Sequence, residues 1–164
     1  MEIQKVTLYN MDKVVKYIIE CREELYPMLS ENKLPNDLLD FEGTYLKNID
    51  SFFLIAVDGE KNIVGTIGLI PYDNRFKMLN YTQFKVAEIV KLYVDSSNRR
   101  QKVGHQLVNC LVNEALLLNY KILYLHTHPF LTGAVEFWEK NSFKIERKDI
   151  EQDLPTIHMK RLIS

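Results

Sequence analysis

Apolar and polar positions alternate over residues 2–8, with Ile3, Val6 and Leu8 apolar, which predicts a first strand. From about 11 to 27 the period becomes helical: Val14, Val15, Ile18, Ile19, Arg22 and Leu25 distribute around helix faces, and Asn10 stands where a cap belongs. Residues 28–36 read as a loop ending in Pro35 and Asn36. Proline discourages helix just before it and asparagine caps well, so a second helix is expected over 37–49, with Leu38, Leu39, Phe41 and Tyr45 inward. Residues 51–57 form a continuous apolar run, a buried strand. The Asp58-Gly59 pair signals a hairpin, and 63–71 returns as a strand. Residues 72–82 are polar and read as a loop. Residues 87–94 form the next strand, and Asp95, Ser96, Ser97 and Asn98 turn the chain. In the helix that follows, Val103, Leu107, Leu111 and Ala115 recur every four residues, with Val108, Val112 and Leu116 beside them. A strand at 121–126, a helix at 132–141 and strands at 143–148 and 156–163 complete the chain. The order β-α-α-β-β-β-α-β-α-β-β has hairpins in its first half and βαβ units in its second. It predicts an α/β (α+β) fold with a central mixed sheet and helices on both faces, in one domain over 1–164.

Composition narrows this picture. A chain of 164 residues, 46% apolar and 26% charged, reads as one soluble globular domain with room for a core. A net charge of −1 argues against a general nucleic-acid binder, which needs a broad basic surface. No apolar run approaches the roughly 20 residues of a membrane span, so no membrane partner is expected. Residues 1–5 lack the charged and apolar regions of a signal peptide, and a cytoplasmic location is expected. Cys21 and Cys110 form no ligand spacing and fit a reducing compartment. Of the four histidines, only His126 and His128 stand close. No carboxylate with matching spacing accompanies them, and the expectation is no metal.

The strand at 87–94 leads through a polar turn into a helix start, with Arg99, Arg100 and Lys102 at the junction. The first N–H groups of a helix have no partner within it, and the helix dipole adds about half a positive charge there. A phosphate or pyrophosphate fits such a place. A solvated basic turn behind a good cap is the plainer alternative.

The stretch VDSSNRRQKVG at 94–104 resembles the acetyl-CoA-binding motif of the GNAT N-acetyltransferases, which runs from a strand through an acidic turn to Gln/Arg-x-x-Gly-x-Gly/Ala. Arg99 falls on its first position and Gly104 on its last, while Lys102 stands where a glycine is usual. A second stretch, LHTHPFLTGAVEFWEKNSF at 125–143, resembles the later segment of the same family, where a strand ends and a short helix carries an Ala-x-x-Phe-Tyr-Glu-Lys run. The two matches occur in order, and the element order is the family's, so the resemblance covers essentially the whole chain. It implies the GNAT fold, with the fourth and fifth strands splayed and the pantetheine arm of acetyl-CoA between them.

The resemblance also implies residue roles. The backbone of Leu92, Tyr93 and Val94 would pair with the pantetheine amides and offer an N–H to the thioester carbonyl. Arg99, Arg100, Gln101, Lys102, Val103 and Gly104 would cradle the pyrophosphate. Thr127 and Lys140 match residues frequent near the cofactor, although a lysine at a helix end is equally a solvated one. Glu88 falls where some members carry a glutamate base; a carboxylate in an apolar strand would have its pKa raised by burial, toward useful values. The plainer reading puts Glu88 at an exposed strand start. The family's usual thiolate-protonating tyrosine is replaced by Trp138, whose indole N–H is too weak an acid and whose expected role is packing. Ser142 replaces a common glycine, and Asn141 is expected to supply the left-handed conformation.

The acceptor side is the least patterned. Glu20, Glu23, Glu24, Glu31, Asp37, Asp40 and Glu42 outnumber Arg22 and Lys33 over 20–42, a field that attracts cations or simply a solvated helix face. Tyr26, Tyr45, Tyr72 and Tyr81 are candidate pocket residues. The expected activity is acetyl transfer from acetyl-CoA to a primary amine of a small molecule or peptide. An acyl-CoA-binding regulatory module without catalysis is the alternative that Trp138 favours. Neither GxGxxG nor GxxxxGK[ST] is present for other nucleotide folds. Homodimers are common in the family, and no segment here specifies one.

Overall fold

The pattern of two-residue and helical periods is realised in a computed structural model that describes residues 1–29 and 33–164. The strands among them are β1 (Glu2–Lys5), β2 (Phe52–Val57), β3 (Ile63–Pro71), β4 (Val86–Val94), β5 (Ile122–Thr127), β6 (Lys144–Glu151) and β7 (Leu154–Leu162). The helices are α1 (Met11–Leu25), α2 (Asn36–Leu39), α3 (Val103–Leu117) and α4 (Ala134–Lys140), with a π-helical turn at Glu42–Leu46 and short 3-10 turns at Pro27–Leu29 and Ser96–Asn98. The seven strands form one sheet in the order β1-β2-β3-β4-β5-β7-β6. The β1–β2, β2–β3, β5–β7 and β6–β7 pairs are antiparallel and β4–β5 is parallel, the mixed sheet that the element order predicts. The β4–β5 register runs from Val86 to Glu88 against Ile122 to Tyr124, a third of the length of β4.

Two compact units share the chain: Met1–Ile70 with Val90–Leu111, and Pro71–Ile89 with Val112–Ser164. In the first, α1, α2 and the π-helical turn pack Val14, Ile18, Leu38, Phe41 and Tyr45 against Phe53, Ile55 and Val57 of β2. These β2 residues alternate, as one buried face of a strand requires. Gly65 and Gly68 lie on opposite faces of β3 because their spacing is odd. A Cβ on Gly65 would meet Val103 and Leu107 of α3, and one on Gly68 would meet Phe53 and Tyr45. Both faces of this half-sheet are therefore covered by helix. Gly68→Ala would place its methyl 2.7 Å from two ring carbons of Phe53. Overpacking of this kind costs about 1–3 kcal/mol, which chemical denaturation at neutral pH will register.

The second helix departs from expectation. Instead of one helix over 37–49, α2 ends at Leu39, and the chain continues through the π-helical turn. The Asp40 side chain accepts a hydrogen bond from Gly43 N at 3.0 Å, a local bond that competes with the helical ladder. Pro35, not Asn36, stands at the cap position. Asn10 does precede α1, but its side chain accepts from Thr7 N behind it rather than from the helix. The 58–62 turn is set by Asp58, whose carboxylate accepts from Glu60 N and Asn62 N, with the positive φ on Lys61. Glu31 of the acidic run, and part of the 28–36 loop, lie outside the described residues.

In the second unit, residues 72–82 are a loop, largely exposed but anchored by three buried residues. Tyr72, Leu79 and Tyr81 are buried against Val86, Ile122 and Tyr124. Val86 and Glu88 pair with Ile122 and Tyr124, so these side chains share one face of the sheet, and the loop covers that face.

Candidate active site

In the first unit, β4 carries Lys91 at φ 57 in mid-strand, the mark of a bulge. Thr66 Oγ1 donates to the Lys91 carbonyl at 2.8 Å, and Lys91 Nζ pairs with Asp37 at 3.0 Å, so both ends of the residue are held. Leu92, Tyr93 and Val94 follow, with Tyr93 buried in the core. Asp95 then anchors the turn. Its N–H donates to Val64 O and its carboxylate accepts from the Tyr17 hydroxyl at 2.7 Å. Arg99 Nε folds back onto the Val94 carbonyl at 3.2 Å, and the Gln101 amide onto the Ser97 carbonyl at 3.1 Å.

Residues 99–102 are exposed, and Arg100 and Lys102 take left-handed φ values of 65 and 63. Among the described residues, none of Arg99, Arg100 and Lys102 is held in an ion pair. Left-handed residues in succession with right-handed ones turn backbone N–H groups to one side and make an anion-binding concavity. Three cationic side chains and the start of α3 at Val103 stand at the same turn. The group that fits here is a polyanion such as a pyrophosphate.

In the second unit, Glu88 is 2% exposed, so the reading of an exposed strand start does not hold. Its carboxylate faces Arg75 from the covering loop: Nη1 donates to Oε2 at 2.7 Å and Nη2 to Oε1 at 2.6 Å. His126 Nδ1 lies 3.5 Å from Oε1. The Arg75 guanidinium also stacks over the Phe76 ring at 4.6 Å and bonds Asp73 at 3.0 Å. The expectation that burial raises the Glu88 pKa is corrected. Burial does push it up, but the hydrogen bonds from Arg75 and His126 and the charge of Arg75 outweigh it and hold the carboxyl at about 2. Glu88 is thus a permanent anion of low basicity. His126 stands beside it, its side chain partly exposed and its Nδ1 toward the carboxylate.

The model of the acetyltransferase (GNAT) family matches residues 13–143, most of the chain. The chain belongs to the GNAT acetyltransferase family. Human N-acetyltransferase 8 is 28% identical over 111 residues, which is 68% of this chain and 46% of that protein, so the chain spans about half the length of this curated relative. A GNAT-family acetyltransferase of Staphylococcus aureus Mu50 superimposes with a TM-score of 0.74 at 23% identity, covering 99% of each chain. An aminoglycoside 6'-N-acetyltransferase complexed with coenzyme A gives 0.72 at 20% identity, covering 100% of this chain and 98% of that one. At these identities the structural likeness concerns the fold.

Family membership gives the departures their meaning. Lys102 occupies the usual glycine position and keeps the left-handed backbone a glycine would take, a strain of order 1 kcal/mol or more. Ser142, not Asn141, takes the left-handed conformation after α4, at φ 67; the Asn141 amide instead donates to the Phe137 carbonyl. Trp138 is buried, edge-on to Phe137 and Phe143, which is the packing expected of it. Thr127 is buried at the end of β5, opposite Ile157, and Lys140 is exposed at the last residue of α4. Of the candidate pocket tyrosines, Tyr45 is a core residue whose hydroxyl donates to Asp37, and Tyr72 and Tyr81 are buried residues by which the covering loop packs onto the sheet.

Sequence reasoning missed Arg75, because a cation in a polar loop carries no sign of its partner thirteen residues on. It also missed His158 and Asp149. Across β5 and β7, His126 pairs with His158, and across β6 and β7, His158 pairs with Arg147. Direct partners share a face, and Asp149, two residues beyond Arg147, shares it too. One face of this half-sheet therefore carries Glu88, Tyr124, His126, His158 and Asp149 in a polar row. Tyr124 and His158 share a 2.7 Å hydrogen bond between the hydroxyl and Nδ1. Burial holds the His158 pKa below its ordinary value.

Proposed function

We propose that residues 1–164 act as one catalytic domain that moves an acetyl group from acetyl-CoA to a primary amine of a small molecule or peptide. The observation that carries this reading is the exposed, left-handed turn of three cations at the start of α3, in a chain of this family. Acetyl-CoA supplies a thioester whose acyl carbon accepts the amine nitrogen as its C–S bond breaks. In this reading the backbone of Leu92, Tyr93 and Val94 holds the pantetheine amides and directs an N–H toward the carbonyl oxygen, where charge develops. Arg99, Arg100, Gln101, Lys102, Val103 and Gly104 hold the pyrophosphate. Thr127 and Lys140 are the two further residues that the resemblance assigns to the cofactor.

The amine must lose a proton before or during attack. Glu88, anionic and weakly basic, serves here as the charge that fixes Arg75 and steadies a proton arriving on His126, which is the acceptor. The acceptor is a neutral or cationic amine drawn from solution, and neither nucleic acid nor membrane takes part. The free thiols of Cys21 and Cys110 fit a cytoplasmic protein. No helix among the described residues is long and apolar enough to cross a membrane.

Calorimetric titration with acetyl-CoA, followed by thiol release against polyamines, amino acids, aminoglycosides and lysine peptides, tests this. The expected result is binding together with amine-dependent thiol release. Binding without release from any amine class supports the acyl-CoA-binding module, for which Trp138 in the core rather than a tyrosine is the observation. Lack of binding overturns the placement of the pyrophosphate.

A further inference from the structure

His158 is fully buried, and its Nε2 has no hydrogen-bond partner among the described residues. That atom is aimed at two carboxylates of β6: Asp149 Oδ2 is 3.6 Å away and Glu151 Oε1 is 3.9 Å away. All three ligand atoms lie within 4.8 Å of one another. An orphaned buried nitrogen facing two anions is costly unless something positive lies between them. We propose that His158, Asp149 and Glu151 form a binding site for a zinc-like divalent cation, independent of the acetyl-transfer chemistry.

Three features support the assignment. The first is size. Ligands on a tetrahedral zinc with bonds of about 2.0–2.1 Å stand about 3.3 Å apart. Acceptors around an ammonium ion at about 2.8 Å stand about 4.6 Å apart. The separations of 3.6 and 3.9 Å from Nε2 are nearer the metal value. The second is orientation. The other ring nitrogen, Nδ1, is 2.7 Å from the Tyr124 hydroxyl, so it can donate there and leave the Nε2 lone pair for the metal. Metal-binding histidines are oriented by such a bond. The third is access. The side chains of Asp149 and Glu151 are 17% and 28% exposed, which leaves a path for the ion and for a water as fourth ligand.

Arg147 is the competitor. Its Nε donates to both Asp149 oxygens, at 2.7 and 3.0 Å. Asp149 Oδ2 must therefore be shared with, or released by, an exposed arginine when the ion binds. Arg147→Gln is expected to tighten binding.

The test uses the untagged full chain, stripped of metal and titrated with Zn²⁺ against a chromophoric chelator. One equivalent is expected with a Kd of about micromolar or tighter. Glu151→Gln and His158→Gln should each weaken it at least tenfold, while His128→Gln leaves it unchanged. Co²⁺ in place of Zn²⁺ should give visible absorption that Glu151→Gln abolishes. Should His158→Gln fail to fold, because His158 is in the core, the partly exposed variant Glu151→Gln decides. Absence of a stoichiometric site below about 100 µM, or a site that survives Glu151→Gln at full affinity, overturns the proposal.

Discussion

Glu88→Gln is expected to lower kcat/KM at least a hundredfold with whichever amine gives thiol release. General acid–base assistance contributes about 10²–10⁴ to such reactions. The substitution removes the anion beside His126 and turns an amide N–H₂ toward a guanidinium that has only donors to offer. Arg75 then keeps at most one bond, to the remaining carbonyl oxygen, and loses the other together with the ionic attraction, so the loop is held less firmly to β4. Stability falls with activity. The Glu88 carboxyl sits at about 2 against an ordinary 4.5, a difference that corresponds to about 3 kcal/mol.

The sign of the pH dependence follows. The folded pKa lies below the unfolded one, so this stabilisation is complete above about pH 4.5 and is lost as pH falls toward 2. Urea denaturation at a series of pH values should show the wild type losing stability across that window and Glu88→Gln losing less. A kcat/KM unchanged at every pH would remove Glu88, and the proton acceptor it supports, from the mechanism. Equal acid sensitivity in the two proteins would remove the ion pair as its cause.

Gly104→Val is expected to raise the Kd for acetyl-CoA tenfold or more. Gly104 is the second residue of α3, where the proposed pyrophosphate would approach the backbone closely and a branched side chain would stand in its way. Lys102→Gly separates backbone from charge. It relieves the left-handed strain at φ 63 and removes one cation from the turn. Thermal stability should therefore hold or rise slightly, while affinity for acetyl-CoA falls several-fold, and the loss should shrink at high salt. Calorimetry at two ionic strengths reads both variants. Wild-type affinity in Gly104→Val would mean that the phosphate binds elsewhere.

Much of the fold was legible because it rests on periodicity. The apolar fours of α3 and the solid apolar run of β2 need no distant partner to be recognised, since burial is written into the spacing. Turns dominated by one residue were legible too, as at Asp58. Where a side chain competed with the backbone, reading failed: Asp40 ended α2 early, and Ser142 rather than Asn141 took the left-handed position.

The sequence by itself determined the family, through the ordered match of two motifs, and with it the class of chemistry. It also placed the cationic turn, because strand, turn and helix start are contiguous in the chain. Tertiary structure alone decided the state of Glu88. A carboxylate in an apolar strand is uphill in energy until a partner is named, and burial without Arg75 implies the opposite pKa shift. It also decided that His158 meets Asp149 and Glu151, because strand register rather than sequence spacing sets which side chains share a face. Local patterns fix elements; the charge balance of a site depends on residues that only folding brings within a few ångströms.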